Sequence, residues 1–283
     1  MELFKNRTAV LLTKHSKENV IFPVLQETGM CLQVEKTFDT DLLGTFTNEI
    51  ARQGSQLEAA RAKALKAIEI TGKAIGIASE GSFVPHPSIY FVPADIELVL
   101  LVDAENNIEL AGWELSTDTN FSETEVTNYK EAIAFAEKIG FPQHGLVVKY
   151  PFSKGELKVA AKGITSPEAL KSAIADALKF SLDGKAHLET DMRAMYNPTR
   201  MKVIEKATTN LLNKIKSLCP HCSWPGFEIT EWIKGLPCEN CFFPTRAISK
   251  HIYQCKKCNH KKEIEYPDNQ KYSDARFCDF CNP

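Results

Sequence analysis

Apolar runs and amphipathic runs alternate along the first two hundred residues. TAVLLT (8–13) is short, apolar and β-branched, and predicts a buried first strand. KHSKEN breaks it, VIFPVLQE suggests a helix, and CLQVEKTF (31–38) alternates as a second strand. A polar stretch, DTDLLGTFTNEIARQGS, leads to a helix over 55–71 in which Leu57, Ala60, Ala64 and Ile68 recur at helical spacing. Thr71-Gly72 closes that helix, and KAIGIAS (73–79) predicts a strand stopping at Glu80-Gly81-Ser82. IELVLLVD (96–103) and IELAGWELST (108–117) flank the turn-rich AENN and predict a hairpin. EVTNYKEAIAFAEKIG (125–140) is an amphipathic helix ending at glycine. GLVVKY (145–150) and ELKVAAKGI (156–164) predict two more strands. SPEALKSAIADALKFSLDG (166–184) has a serine N-cap and proline at the first helical position. The polar run KAHLETDMRAMYNPTRM (185–201) separates it from a last helix over 200–217. The expected class is α/β: a mixed sheet flanked by helices over 1–217, with a core at 1–124 and a helix-and-strand extension at 125–217. A C-terminal double zinc-ribbon-like module would follow over 218–283.

Composition narrows this little. Hydrophobic residues at 43% and charged residues at 25% are ordinary for a soluble globular chain, and a net charge of -2 argues against a polyanion-binding surface on the chain as a whole. No stretch approaches the roughly 18 apolar residues needed to span a bilayer, and MELFKNRTAVLLTKHSKE lacks a secretory pattern. The expectation is a cytoplasmic protein with no membrane contact.

Cysteine usage divides the chain. Cys31 stands alone, and a small buried apolar role is expected for it. The other eight form four Cys-x-x-Cys knuckles: Cys219/Cys222, Cys238/Cys241, Cys255/Cys258 and Cys278/Cys281. In a cytosolic protein this spacing means metal rather than disulfides. Two knuckles make one tetrahedral site, so two structural Zn²⁺ are expected, with an iron–sulfur cluster as the alternative. A nested pairing is favoured, the inner knuckles (238/241 with 255/258) on one ion and the outer (219/222 with 278/281) on the other. A tandem pairing, 219/222 with 238/241 and 255/258 with 278/281, stays open. From 218 to 283 there are nine Lys/Arg against eight Asp/Glu, a poor electrostatic footprint for a duplex. A nucleic-acid partner is therefore not favoured, and a structural staple or protein contact is.

In an open α/β sheet, ligands bind beyond the carboxyl ends of strands. Thr13, Lys14, His15 and Lys17 follow the first strand and suit an anion such as phosphate. Glu58, Arg61 and Lys63 open the helix at 55–71, where Glu58 could equally complement the helix dipole. Glu80 and Ser82 follow the next strand. Carboxylates and cations on adjacent elements could hold Mg²⁺ or Mn²⁺ against a phosphate, with Glu58 and Glu80 as ligands. Thr117, Asp118 and Asn120 could line the same cleft. Arg193, Asn197 and Arg200 could also do so, or serve helix capping and an arginine–carboxylate network. His86, between prolines, could act as acid/base or shape a rigid turn; it and Asp118 are the candidates for positioning water.

The order Thr13, His15, Lys17, then Gly54, Glu58, Ala60, Lys63-Ala64, then Thr71-Gly72 and Glu80-Gly81 is similar to the house-cleaning inosine-triphosphate pyrophosphatase superfamily over about seventy residues. The resemblance implies a mixed sheet with a cleft and Mg²⁺-dependent cleavage of a nucleoside triphosphate to monophosphate and pyrophosphate. It would put Glu58 and Glu80 on the metal, and Lys14, Lys17 and Lys63 on the phosphates. The chain departs from that pattern: His15 stands where asparagine is usual, the lysine spacing is shorter, the acidic pair is reduced to Ser79-Glu80, and no cysteine tail belongs to that superfamily. TKHSKE, GSQLEAARAKA, STDTNF, ETDMRAMYNPTRM and CDFCNP resemble a bacterial family of unknown function that carries the same four cysteine pairs. The resulting expectation is a metal-dependent hydrolase of a nucleotide or related phosphorylated small molecule. Its alternative is a zinc-ribbon protein binding nucleic acid or protein, with a ligand-binding body that does no catalysis.

Overall fold

A computed structural model describes residues 2–38 and 54–283, so most of the expected polar stretch at 39–55 lies outside the described residues. The chain divides into two compact units, Met1–Leu212 and Asn213–Pro283.

The first unit holds a mixed five-stranded sheet of β1 (Thr8–Leu12), β2 (Cys31–Glu35), β3 (Ile75–Pro85), β4 (Pro93–Asp103) and β5 (Ile108–Ser116), in the order β2-β1-β3-β4-β5. β1 pairs in parallel with both β2 and β3, and β3, β4 and β5 form an antiparallel meander. The parallel pairs need crossovers, supplied by α1 (Glu18–Leu25) and α2 (Gln56–Thr71). Alanines 60 and 64 of α2 pack on Ala78, Leu98 and Leu100 at one face of the sheet. α5 (Pro198–Lys216) crosses the other face so closely that a Cβ on Gly112 would lie 2.2 Å from the Ala207 carbonyl oxygen. Only glycine permits that approach.

Two expectations change here. β3 does not stop before Glu80: it runs to Pro85, paired with β4 from Ile75↔Asp103 to Pro85↔Pro93. Charged residues survive mid-strand because partners on neighbouring elements offset them. Cys31 is exposed rather than buried, since β2 is the sheet edge and shows an irregular burial pattern.

A second, antiparallel sheet of β6 (Glu123–Val126), β7 (Leu146–Ser153), β8 (Glu156–Ile164) and β9 (Ala186–Thr190) has the order β6-β9-β7-β8. Helices α3 (Tyr129–Lys138) and α4 (Pro167–Phe180) cover it, with Ala132, Ala136, Leu170 and Ile174 against Leu146, Val148 and Leu188. β9 lies in the run 185–201 that reads as polar. Its alternation is nevertheless regular: Ala186, Leu188 and Thr190 are buried, while Glu189 pairs with Lys149 at 2.7 Å.

The second unit carries β10 (Glu228–Lys234), β11 (Ile248–Gln254) and β12 (Lys261–Glu265), antiparallel and in chain order. Among the described residues no helix is long and apolar enough to cross a membrane.

Candidate functional site

After β1 the chain turns through Thr13–Ser16, where the Thr13 hydroxyl accepts the His15 amide at 3.2 Å. Lys17 then folds inward, and its Nζ donates to the Ser79 carbonyl at 2.9 Å and the Ser79 hydroxyl at 3.3 Å. The parallel register, Leu11 beside Ile77, brings the carboxyl end of β1 to this point on β3. Alternation sends Ser79, Gly81 and Phe83 to one face of the sheet and Glu80 and Ser82 to the other. Across on β4, Glu97 stands opposite Gly81 and Asp95 opposite Phe83, so both carboxylates share the face of Gly81.

Arg200, in the first turn of α5, lies over that face. Its Nε donates to Glu97 Oε1 at 2.6 Å, and its guanidinium sits 5.3 Å from the centroid of the Phe83 ring. A Cβ on Gly81 would fall 2.2 Å from Glu97 Oε1 and 2.6 Å from Arg200 Nη2, so the ion pair occupies the space a side chain there would need. Asn197 sets the direction of Arg200: its Oδ1 accepts the Arg200 amide at 2.9 Å, in the manner of an N-cap. On the opposite face Glu80 pairs with Lys63 of α2, and the Gln56 amide bridges the carbonyls of Glu80 (2.7 Å) and Ile96 (2.9 Å).

Lys17, Glu80, Asp95, Glu97 and Arg200 are each no more than 5% exposed. Burial pushes the Lys17 ammonium down to about 7, with Arg200 adding to the effect and Glu97 and Glu80 opposing it. Burial, then the positive charges of Lys17, Arg200, Arg193 and Lys63, pushes His15 down to about 3 and keeps it neutral. Asp95 is pushed up to about 8, first by burial, then by the negative charge of Glu97, with Arg200 opposing. Asp95 Oδ1 and Glu97 Oε2 have no hydrogen-bond partner among the described residues. Buried charge of this density, with shifted acids and bases, marks a candidate site on physical grounds.

The structure thus gathers His15, Lys17, Lys63, Glu80 and Arg200 from the residues expected, and it places others in structural roles. Glu58 is exposed, and its carboxylate accepts the Ser55 amide at 2.7 Å in a capping box, which holds it below the usual carboxylate range. Arg61 makes a bidentate pair with Glu109, both contacts at 2.6 Å. His86 Nδ1 accepts the amides of Ser88 (3.1 Å) and Ile89 (3.2 Å), organising the β3–β4 turn. Thr117 and Asp118 are exposed, and the Asp118 amide donates to the Ser116 hydroxyl at 3.1 Å. Asn120 accepts from Asn197 Nδ2 at 2.9 Å and donates to the Ile139 carbonyl at 3.1 Å. Arg193 grips Asp191 with Nε at 3.0 Å and Nη2 at 2.6 Å. Lys14 is exposed, Thr13 buried and Ser82 half-buried.

Asp95 and Glu97 were not among the expected residues. PADIELVLLVD looks like one apolar strand, but its two carboxylates stand two positions apart and therefore share a face.

In the second unit the eight knuckle thiols form two clusters, Cys219/Cys222/Cys255/Cys258 and Cys238/Cys241/Cys278/Cys281, with all four sulfurs of each within 4.8 Å of one another. Neither the nested nor the tandem pairing holds; the knuckles interleave. The reason is topological: one antiparallel strand separates each knuckle from the next, and each strand carries the chain to the opposite end of the sheet. The first and third knuckles therefore meet at one end, and the second and fourth at the other.

Each knuckle is a tight turn. The amide after the second cysteine returns to the first cysteine's carbonyl at 2.8 Å (Ser223), 3.0 Å (Phe242), 3.0 Å (Asn259) and 2.9 Å (Asn282). Sγ–Sγ separations of 3.7 Å (219–258), 3.6 Å (222–255), 3.9 Å (238–281) and 3.6 Å (241–278) far exceed a disulfide bond. They match the edge of about 3.8 Å in a tetrahedron with metal–sulfur bonds of about 2.3 Å. Each cluster could hold a metal ion such as zinc. His221 and His260 stack on each other, centroids 5.6 Å apart, and belong to neither ligand set.

A family model described as Domain of unknown function (DUF6671) matches residues 63–283. The chain belongs to that family. The matched region holds Lys63, Glu80, Asp95, Glu97, Arg200 and all eight knuckle cysteines, and it excludes His15 and Lys17. Comparison with curated proteins and with solved structures finds no match.

Proposed function

We propose that this DUF6671 protein is a metal-dependent hydrolase of a nucleotide or another phosphorylated small molecule, with two structural zinc ions in its C-terminal unit. The observation that carries the reading is the buried concentration of Lys17, Arg200, Glu80, Asp95 and Glu97 where β1 delivers its loop against β3. Sealing such groups from water is costly unless their fields are used, and phosphoryl transfer is a reaction catalysed mainly by positioned charge. Lys17 and Arg200 would orient phosphoryl oxygens. Lys17, poised near neutrality, would take its charge as an anion arrives and could donate a proton to a departing oxygen. His15, held neutral, would offer a ring N–H to the same anion. A divalent cation, when bound, would neutralise charge developing on the leaving phosphate.

A second reading keeps the body as a ligand-binding domain and gives the tail a protein partner. It is favoured by the exposed rings of Phe242, Phe243, Phe277 and Phe280 around the second cysteine cluster, each more than half accessible. A screen for phosphate and pyrophosphate release across nucleotides and sugar phosphates, with Mg²⁺ or Mn²⁺, separates the two. Turnover lost in Lys17→Met with zinc content intact supports the hydrolase. No turnover on any substrate transfers the weight to binding.

A further inference from the structure

We propose that Asp95 and Glu97 are the two protein ligands of one divalent cation of the magnesium or manganese class, bound on the Gly81 face of β4. The inference deepens the hydrolase reading and rests on it for the use made of the ion.

Two residues apart on a strand, the side chains project in the same direction about 7 Å apart at their bases, close enough for both carboxylates to converge on one ion. Arg200 Nε donates to Glu97 Oε1 at 2.6 Å, which fixes the carboxylate, while Oε2 has no hydrogen-bond partner among the described residues. That oxygen and Asp95 Oδ1 are buried on residues 0% and 1% exposed, and neither has a hydrogen-bond partner among the described residues. Unsatisfied carboxylate oxygens inside a protein are expensive, and a hard cation is the ligand that both would accept at once. Directly opposite, Gly81 has no side chain, and that room is what lets the Arg200–Glu97 pair lie flat against β3 beside the two oxygens.

The donor count selects the metal. Groups of three or more Cys, His, Asp or Glu ligands occur, among the described residues, only at the cysteine clusters. A two-carboxylate site suits an ion that keeps water and recruits phosphate oxygens, and it is poor for zinc. Glu80, first expected as a ligand, points to the other face against Lys63. Arg200 and Lys17 would oppose a bare cation and welcome a phosphate beside it, so cation and phosphate should bind cooperatively.

The test uses the zinc-loaded full chain and Mn²⁺, with free Mn²⁺ read by electron paramagnetic resonance in the absence and presence of pyrophosphate. One Mn²⁺ should bind, more tightly with pyrophosphate. Asp95→Asn should weaken it at least about tenfold, as loss of a ligand or its support commonly does, while Glu58→Gln leaves it unchanged. Because Glu97→Gln deprives Arg200 of its counter-charge and can unfold the body, Asp95→Asn carries the decision, its fold checked by circular dichroism. No Mn²⁺ bound with pyrophosphate, or equal binding by Asp95→Asn, overturns the site and leaves two carboxyls sharing a proton. Phosphate release is followed in the same samples. Release that survives Asp95→Asn removes this site and spares the hydrolase; Mn²⁺ bound through Asp95 without release on any substrate does the reverse.

Discussion

The two regions of this protein draw charge-bearing groups out of water by opposite means. In the body, signs alternate: Arg200 faces Glu97 and Lys63 faces Glu80, while burial and Glu97 push the Asp95 carboxyl up to about 8. In the C-terminal unit, eight thiols face one another, and they can ionise together only around a metal. The body's centre therefore offsets itself and can await a ligand, whereas the tail's clusters could hold a metal ion on which its fold would then depend. The largest expected effect follows. A strong chelator should unfold Asn213–Pro283, because a structural zinc in a small module contributes about 10–16 kcal/mol of apparent folding energy. Amides of β10–β12 should lose hydrogen-exchange protection while those of β3 and β4 keep it. Equal protection in both regions after metal removal would abolish the contrast.

A second effect probes the self-compensation of the body. Arg200→Met leaves Glu97 buried without its partner, and breaking a buried pair from one side costs about 3–5 kcal/mol. The double variant Arg200→Met/Glu97→Leu should recover much of that loss in urea denaturation of the metal-loaded protein. If Arg200→Met denatures like the wild type, the pair is not what holds this face together.

The contrast extends to what could be read in advance. The cysteine ligands stand out because each knuckle is local, four residues wide. Their pairing does not stand out, because it depends on how many strands separate the knuckles, and only the order knuckle–β10–knuckle–β11–knuckle–β12–knuckle makes interleaving necessary. The charged centre joins Lys17 to Ser79 across 62 positions and Arg200 to Glu97 across 103, so register and helix docking assemble it rather than any motif. Lys17, Lys63 and Glu80 could be suspected from their places near strand and helix ends. Glu97 could not, because a carboxylate between Ile96 and Leu98 reads as part of an apolar strand unless the alternation with Asp95 is weighed. Glu58 misled for the opposite reason: Ser55-x-x-Glu58 is itself a capping signature, and the first turn of a helix uses a carboxylate without any ligand.

A third measurement sharpens the electrostatics of the centre. Burial holds the folded Lys17 ammonium down to about 7, against the 10.5 of an ordinary lysine. Between those values the unfolded chain binds more protons, so stability rises with pH. The penalty for burying the ammonium is complete below about 7 and gone above 10.5. Asp95 acts in the opposite sense up to about 8, and His15 adds stability with rising pH between about 3 and 6.5. Lys17→Met also removes a charge that lowers both groups, so the comparison is made above pH 7.5, where His15 is neutral folded and unfolded. The stability difference should shift toward the wild type by about 2 kcal/mol between pH 7.5 and pH 10, a value kept below the ideal linkage to allow for relaxation around the buried group. A constant difference across that range would mean that Lys17 is already neutral or well hydrated at pH 7.5.

The smallest effect lies within the tail, where the two clusters share a ligand set but not a setting. Cys219 and Cys255 are packed with Phe227, Trp224 and Tyr253, and Lys257 lies 3.7 Å over the Trp224 ring. The second cluster includes the exposed Cys281, and Phe243 and Phe280 stack beside it at 5.1 Å with both rings largely open to solvent. Metal exchange needs an entering thiolate or chelator to reach a ligand sulfur, and packing governs that access. Under a mild chelator, zinc should leave in two phases, the faster one from Cys238/Cys241/Cys278/Cys281, with rates separated by about tenfold, or about 1.4 kcal/mol in barrier. Cys281→Ser should remove the fast phase, whereas Cys258→Ser should remove the slow one. A single phase, or a fast phase that survives Cys281→Ser, would show that the aromatic packing around the first cluster does not protect its metal, and burial would then distinguish the two sites in structure but not in behaviour.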